Sequence, residues 1–329
     1  MTERVIKIIL PKASKDLAFE QLKAMDNIHY WLEEASAMNT VISVLTVYRK
    51  TEAIMDTFER KFGKEKGFKL IVFPVEASIP RPVEKETEKE KPSEREKARI
   101  SREELFNDIV GSTDTSMVYI IFVILSTIVA AIGLLRDNVA VIIGAMVIAP
   151  FLGPNVALAL SATLGDNTLR NNALKAMIAG FLIVIALSVS MGYFFEVDPS
   201  IPEIASRTQA GLSDILLALA SGAAGVLAFT TGAPAVVIGV MVAVALLPPL
   251  TAFGLLIGSE EYTLATGAFL LFLTNIICIN IAGVATFLLQ GVSPRTWWEA
   301  KKAKKATRKT MAIWFITLGF LVVVILLWS

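Results

Sequence analysis

One cysteine, Cys278, and one histidine, His29, occur among the 329 residues. A single thiol closes no internal disulfide, and one imidazole argues against a histidine-based metal site. The nucleophile elbow G-x-S-x-G, the zinc-protease H-E-x-x-H and the glycine-rich phosphate loop are all missing. Neither an enzyme nor a bound metal or cofactor is therefore expected. A formal net charge of +1 gives no footprint for nucleic acid. No basic head followed by an apolar stretch opens the chain, so its first hundred or so residues are expected to stay on the side where they are made.

What is present is apolar and unevenly spread. Hydrophobic residues make up 54 % and mean hydropathy is +0.63. Charges crowd into residues 1–112 and 293–309, which separates a soluble domain from a membrane domain. Residues 1–79 alternate strand and helix signals: strands at Arg4–Leu10, Ile28–Ala35, Val41–Tyr48 and Phe68–Val75, helices at Lys15–Met25 and Thr51–Phe62. The order βαββαβ predicts a small ferredoxin-like α/β domain, either regulatory or pairing with a second copy in a homo-oligomer. Residues 80–100 hold a charged, proline-rich linker unable to bury a core. Ser101–Glu104 reads as a capping box opening an amphipathic helix over 101–111, with Leu105, Phe106, Ile109 and Val110 on one face. That helix lies on the membrane surface or merely connects.

The stretch that organises the rest is Asn138–Leu160, uncharged and long enough to cross a bilayer, yet carrying Pro150, Gly153 and Pro154. In lipid, a backbone broken by proline survives only inside protein or beside a wet cavity. A shift of 95 positions lays Ala233–Leu255 over it, with Gly144 on Gly239, Met146 on Met241 and Pro154 on Pro249. The match predicts an internal duplication and a paired break at Pro248 and Pro249. The run GLLRDNVAVIIGAMVIAPFLGPN, followed by Gly165-Asp166 and later by VIGVMVAVALLPPLTAFGL, closely resembles a prokaryotic membrane family known as the uncharacterised conserved hydrophobic domain. The resemblance covers residues 112–290 and implies a multi-span membrane domain of unknown function.

Seven uncharged stretches read as spans: Met117–Leu135, Val139–Leu164, Ala176–Phe195, Ile215–Thr230, Pro234–Ile257, Leu264–Leu289 and Met311–Trp328; two are short or interrupted, and a re-entrant loop is the alternative for one of them. With the N-terminus cytoplasmic, twelve basic residues flank the spans on the inner side, against Arg136 and Arg207 outside. Residues 117–195 and 213–289 are then two three-helix copies. An odd number of crossings turns the second copy upside down, so the fold class is an α-helical integral membrane protein with an inverted repeat of three helices plus one. A basic cytoplasmic loop, 291–310, precedes the extra span at 311–329. The chain is expected in the plasma (inner) membrane, with the lipid bilayer as its first partner.

Inverted repeats with broken helices are the architecture of many transporters. The pathway candidates are Asn138, Pro150, Gly153, Pro154 and Asn155 in one copy, and Pro248, Pro249, Thr251, Asn275 and Asn280 in the other. Each asparagine could equally be interhelical glue. Asp137 and Asp166, at opposite ends of the second span, are the nearest charges; a solvated turn and a helix terminator are their plain readings. Small residues four apart (Ala140 and Gly144; Ala145, Ala149 and Gly153; Ser221 and Gly225) read as close packing faces. The expected function is a transporter or channel for a small polar solute or ion. Its rival is a membrane-anchored sensor whose N-terminal domain binds the ligand.

Overall fold

The computed structural model describes residues 3–25, 28–33, 39–75, 78, 102–231, 235–292 and 297–328. The chain divides into two compact units, Met1–Glu104 and Leu105–Ser329.

In the first unit, β1 (Glu3–Pro11), α1 (Lys15–Lys23), β2 (His29–Glu33), β3 (Asn39–Val47), α2 (Tyr48–Phe62) and β4 (Lys69–Pro74) follow in sequence. The sheet order is β2-β3-β1-β4, and every neighbouring pair is antiparallel. Alternation along the strands sorts the side chains by face. Ile6, Ile8, Leu10, Ile42 and Val44 are buried with Ala18 and Leu22 of α1 and Ile54, Phe58 and Phe62 of α2. The opposite face carries the odd-numbered residues of β1 and, among the described residues, bears no helix from this unit. On it, Lys7 Nζ donates to Glu33 Oε2 at 2.8 Å and Ser43 Oγ to Glu33 Oε1 at 2.6 Å. Lys7 first, then Ser43, hold the Glu33 carboxyl below the usual carboxylate range. The linker at 80–100 and Ser101 of the capping box lie outside the described residues.

The second unit is helical: α3 (Arg102–Gly111), α4 (Met117–Leu135), α5 (Val139–Ile148), α6 (Leu152–Leu164), α7 (Asn167–Phe194), α8 (Pro202–Ala205), α9 (Leu212–Thr231), α10 (Ala235–Gly258), α11 (Tyr262–Leu289) and α12 (Trp297–Trp328). Leu105 and Ile109 form the buried side of α3. Among the described residues, five helices are long and apolar enough to cross a membrane, and α5 with α6, bent by 55°, would make a sixth crossing. α11 is the most enclosed of these and α12 the least.

The helix boundaries follow the 95-residue shift. α7 and α11 each have 28 residues and begin and end 95 positions apart, and α4 and α9 begin 95 apart. The contacts repeat as well. A Cβ on Gly254 of α10 would lie 2.7 Å from Cβ of Ser188 on α7, and a Cβ on Gly283 of α11 would lie 2.9 Å from Cβ of Ala159 on α6. Residue 254 is 159 shifted by 95, and 283 is 188 shifted by 95. The same two positions therefore meet twice with the copies exchanged.

Three expectations are corrected. α10 is not interrupted: Pro248 and Pro249 lie inside a continuous helix. The reason is local. The prolines are placed differently: the first copy has Pro150 where the second has Ala245, and Gly153 where the second has Pro248. The residue before a proline is driven out of the helical region, and Ala149 is extended at φ −66°, ψ 123°, which breaks the first copy there. The basic stretch is not a loop over 297–310, because it forms the first turns of α12; residues 293–296 lie outside the described residues. Its Ala303 and Thr307, four apart, form a buried stripe, and Thr307 Oγ1 donates to the free carbonyl of Ala162 at the end of α6, 2.8 Å. Finally, the Ala140 and Gly144 face is exposed and a Cβ on Gly144 would meet nothing within 4 Å, so among the described residues it is no packing face.

Candidate functional site: a buried polar seam at a helix break

The break between α5 and α6 frees backbone groups that a continuous helix would pair. The carbonyls of Met146, Val147 and Ile148 and the amides of Leu152 and Gly153 have no backbone partner among the described residues. Pro150 cannot donate to Met146, and Pro154, at the third position of α6, has no amide to leave orphaned. The break is enclosed rather than open. Phe151, Gly153 and Pro154 are buried. A Cβ on Gly153 would strike Ser112, which follows α3. Phe151 packs at a tilt against Phe181 of α7, centroids 5.5 Å apart and planes at 41°, and Phe181 meets the edge of Phe272 on α11 at 4.9 Å.

Asn155 lies one turn into α6. Its Nδ2 donates to the Phe151 carbonyl at 2.8 Å, so the side chain reinforces the frayed first turn. Its Oδ1 accepts from Asn280 Nδ2 of α11 at 3.3 Å, and Asn280 Nδ2 also reaches the Ile276 carbonyl at 2.9 Å. Five residues earlier on α11, Asn275 Nδ2 donates to the Ala245 carbonyl of α10 at 2.7 Å. Thr251 turns its hydroxyl to the Leu247 carbonyl of its own helix at 2.8 Å. Asn155, Thr251, Asn275 and Asn280 are all buried.

The seam is not balanced. Thr274 Oγ1, Asn275 Oδ1 and Asn280 Oδ1 are buried without a hydrogen-bond partner. Most buried polar groups in folded proteins are paired, and an unpaired one costs about 1–3 kcal/mol. All three are neutral oxygens, each suited to a hydrogen-bond donor, and at 3.6 residues per turn Thr274, Asn275 and Asn280 leave α11 in different directions. Among the described residues no three His, Cys, Asp or Glu side chains gather as a metal site.

The remaining candidates sit at helix ends, away from the seam. Asn138 caps α5 through Val141 N at 3.1 Å. Asp137 is left-handed, φ 50°, and accepts from Glu203 N of α8 at 3.1 Å. Asp166 starts α7, accepting from Thr168 N at 2.8 Å and Leu169 N at 3.1 Å; the preceding helix is ended by left-handed Gly165. Three contributors carry no sequence signal for this place: Ser112, Thr274 and Tyr119, whose hydroxyl donates to the Ala176 carbonyl at 2.7 Å. The equivalent positions 180 and 275 do share a duty. Gly180 admits Phe151 and Tyr119, and Asn275 reaches Ala245, so each faces the proline element of its own copy.

Long apolar helices packed around such a seam define a multi-pass helical membrane protein. The chain belongs to the family described as Domain of unknown function (DUF389), whose model matches residues 146–281. An uncharacterized protein of Methanocaldococcus jannaschii is 34 % identical over 328 residues, spanning 100 % of both chains. No solved structure matches it.

Proposed function

We propose that the second unit is a transporter or channel for a small polar solute or ion in the plasma membrane, and that the seam between α6 and α11 is its site. The observation that carries this reading is the set of unpaired acceptors Thr274 Oγ1, Asn275 Oδ1 and Asn280 Oδ1, beside a break that leaves backbone amides and carbonyls unpaired. A helix bundle that served only as an anchor gains nothing from such groups in an apolar interior. Seven crossings, with a cytoplasmic N-terminus and α10 as one of them, make the two copies inverted. The exchanged contacts at 159–283 and 254–188 support that relation. The buried state of the seam corresponds to a closed conformation, with the phenylalanines at 151, 181 and 272 as an apolar seal. No catalytic role is proposed. The first unit, whose strand order supports a ferredoxin-like reading, regulates or oligomerises the second.

The test is access. Cysteines replacing Asn155 and Thr251 in a Cys278→Ser background are treated with a small hydrophilic thiol reagent in folded, reconstituted protein. Modification that a transported solute suppresses is the expected result. Two inert positions mean a dry core and leave the anchored sensor as the reading.

A further inference from the structure

We infer that the helix-free face of the β2-β3-β1-β4 sheet is a self-pairing surface that stacks on the same face of a second copy. This names the surface for the oligomerising role given to the first unit, and rests on that role but not on transport.

Three of the exposed side chains on this face are apolar, beside the exposed His29 and Lys69. Trp31 is 44 %, Phe73 45 % and Ile71 38 % exposed, and in an isolated sheet such a face attracts a partner. The strand register arranges it in three rows of four. One row runs Phe73, Val5, Leu45, His29, and the next Ile71, Lys7, Ser43, Trp31. The third row runs Lys69, Ile9, Val41, Glu33, with a cation at one edge of the sheet and an anion at the other.

That charge order selects a second copy as the occupant. A twofold axis parallel to the strands, lying between two stacked sheets, puts β4 over the partner's β2 and β1 over the partner's β3, and keeps every row opposite itself. Lys69 then faces the partner's Glu33 at both edges. Between them, Ile9 meets the partner's Val41 and Ile71 the partner's Trp31. An axis across the strands would instead set Lys69 against the partner's Phe73. Aligned sheets pack about 10 Å apart with a rotation of about 30°, a gap that Lys and Glu side chains span. Among the described residues Lys69 has no carboxylate of its own chain. Each Glu33 oxygen, bonded once to Lys7 or Ser43, retains a lone pair for an incoming ammonium.

The test uses the full chain in nanodiscs, with Cys278→Ser and two distinguishable tags. A Lys69→Cys chain is co-expressed with a Glu33→Cys chain and treated with a short bifunctional thiol cross-linker that spans the gap between the sheets, which a disulfide alone does not. The expected product is a cross-linked dimer carrying both tags, several-fold above that from either chain alone. Because Glu33→Cys also removes the Lys7 and Ser43 bonds, an Ile71→Cys chain with a Trp31→Cys chain gives an independent reading. Leu17→Cys, 49 % exposed on α1, is the control for random collision. If both pairs stay at the control level, or if Lys69→Cys links mainly to itself as in edge-to-edge pairing of β4, the face-to-face pairing is overturned. Light scattering separates the two failures: an intact dimer without these cross-links keeps the oligomeric reading and moves its surface elsewhere, whereas a monomer ends both. Neither outcome bears on flux.

Discussion

The side-chain amide of Asn275 donates to the carbonyl of Ala245 at 2.7 Å, and Ala245 is the acceptor that a residue at position 249 would serve if it were not proline. Pro249 takes away a helical bond inside α10, and a residue 30 positions beyond the orphaned Ala245 carbonyl supplies the replacement. The replacement accounts for the bond lost at Pro249, one of the two prolines inside the continuous helix.

The substitution Asn275→Leu is expected to destabilise the chain by about 1–3 kcal/mol, since it leaves a buried carbonyl unpaired. Pro249→Ala restores an amide at the same place and should remove most of that cost. A double-mutant cycle on thermal unfolding in detergent measures the coupling. Equal costs of Asn275→Leu with and without Pro249 would refute the compensation.

Replacing Asn155 with leucine should abolish flux in reconstituted vesicles while leaving expression and the folded state intact. It removes the acceptor of the Asn280 amide and the reinforcement of the first turn of α6. A variant that fails to assemble would mark Asn155 as interhelical glue.

Acid should weaken the first unit through Glu33. A carboxyl whose folded pKa lies below its unfolded value stabilises above the unfolded value, and loses that contribution as pH falls through the folded one. The Glu33 carboxyl is lowered by Lys7 and Ser43, so its share is present at neutral pH and disappears below the ordinary carboxylate range. Urea titrations of the full chain across that range, followed by a label on the first unit, should show a shallower acid slope for Glu33→Gln. An unchanged slope would count against this assignment.

A reporter fused after Ser329 should lie outside the cell and one before residue 3 inside, given twelve inner against two outer basic residues. A cytoplasmic C-terminus would rule out seven crossings.

Much of the scaffold was legible because it is periodic. The four strands of the first unit start and end within two residues of where alternation of apolar side chains puts them. The duplication was legible from Pro154 and Pro249, but equating the copies hid the difference that matters, Pro150 against Ala245. The asparagines stood out as polar groups in apolar runs. Their partners did not, since Asn155 and Asn280 are 125 residues apart and no local pattern encodes that pairing. Clustered charge masked the start of α12, although Ala303 and Thr307 already had helical spacing.

The contact made twice, 159 with 283 and 254 with 188, has the form that defines the interface of a twofold homodimer, in which residue i touches j and j touches i. Helices 95 positions apart thus meet as the subunits of such a dimer would, with residues 195–211 between the two sets. The two sets are free to differ in a way that identical subunits are not: one breaks at Pro150, while the other stays continuous with Asn275 in support.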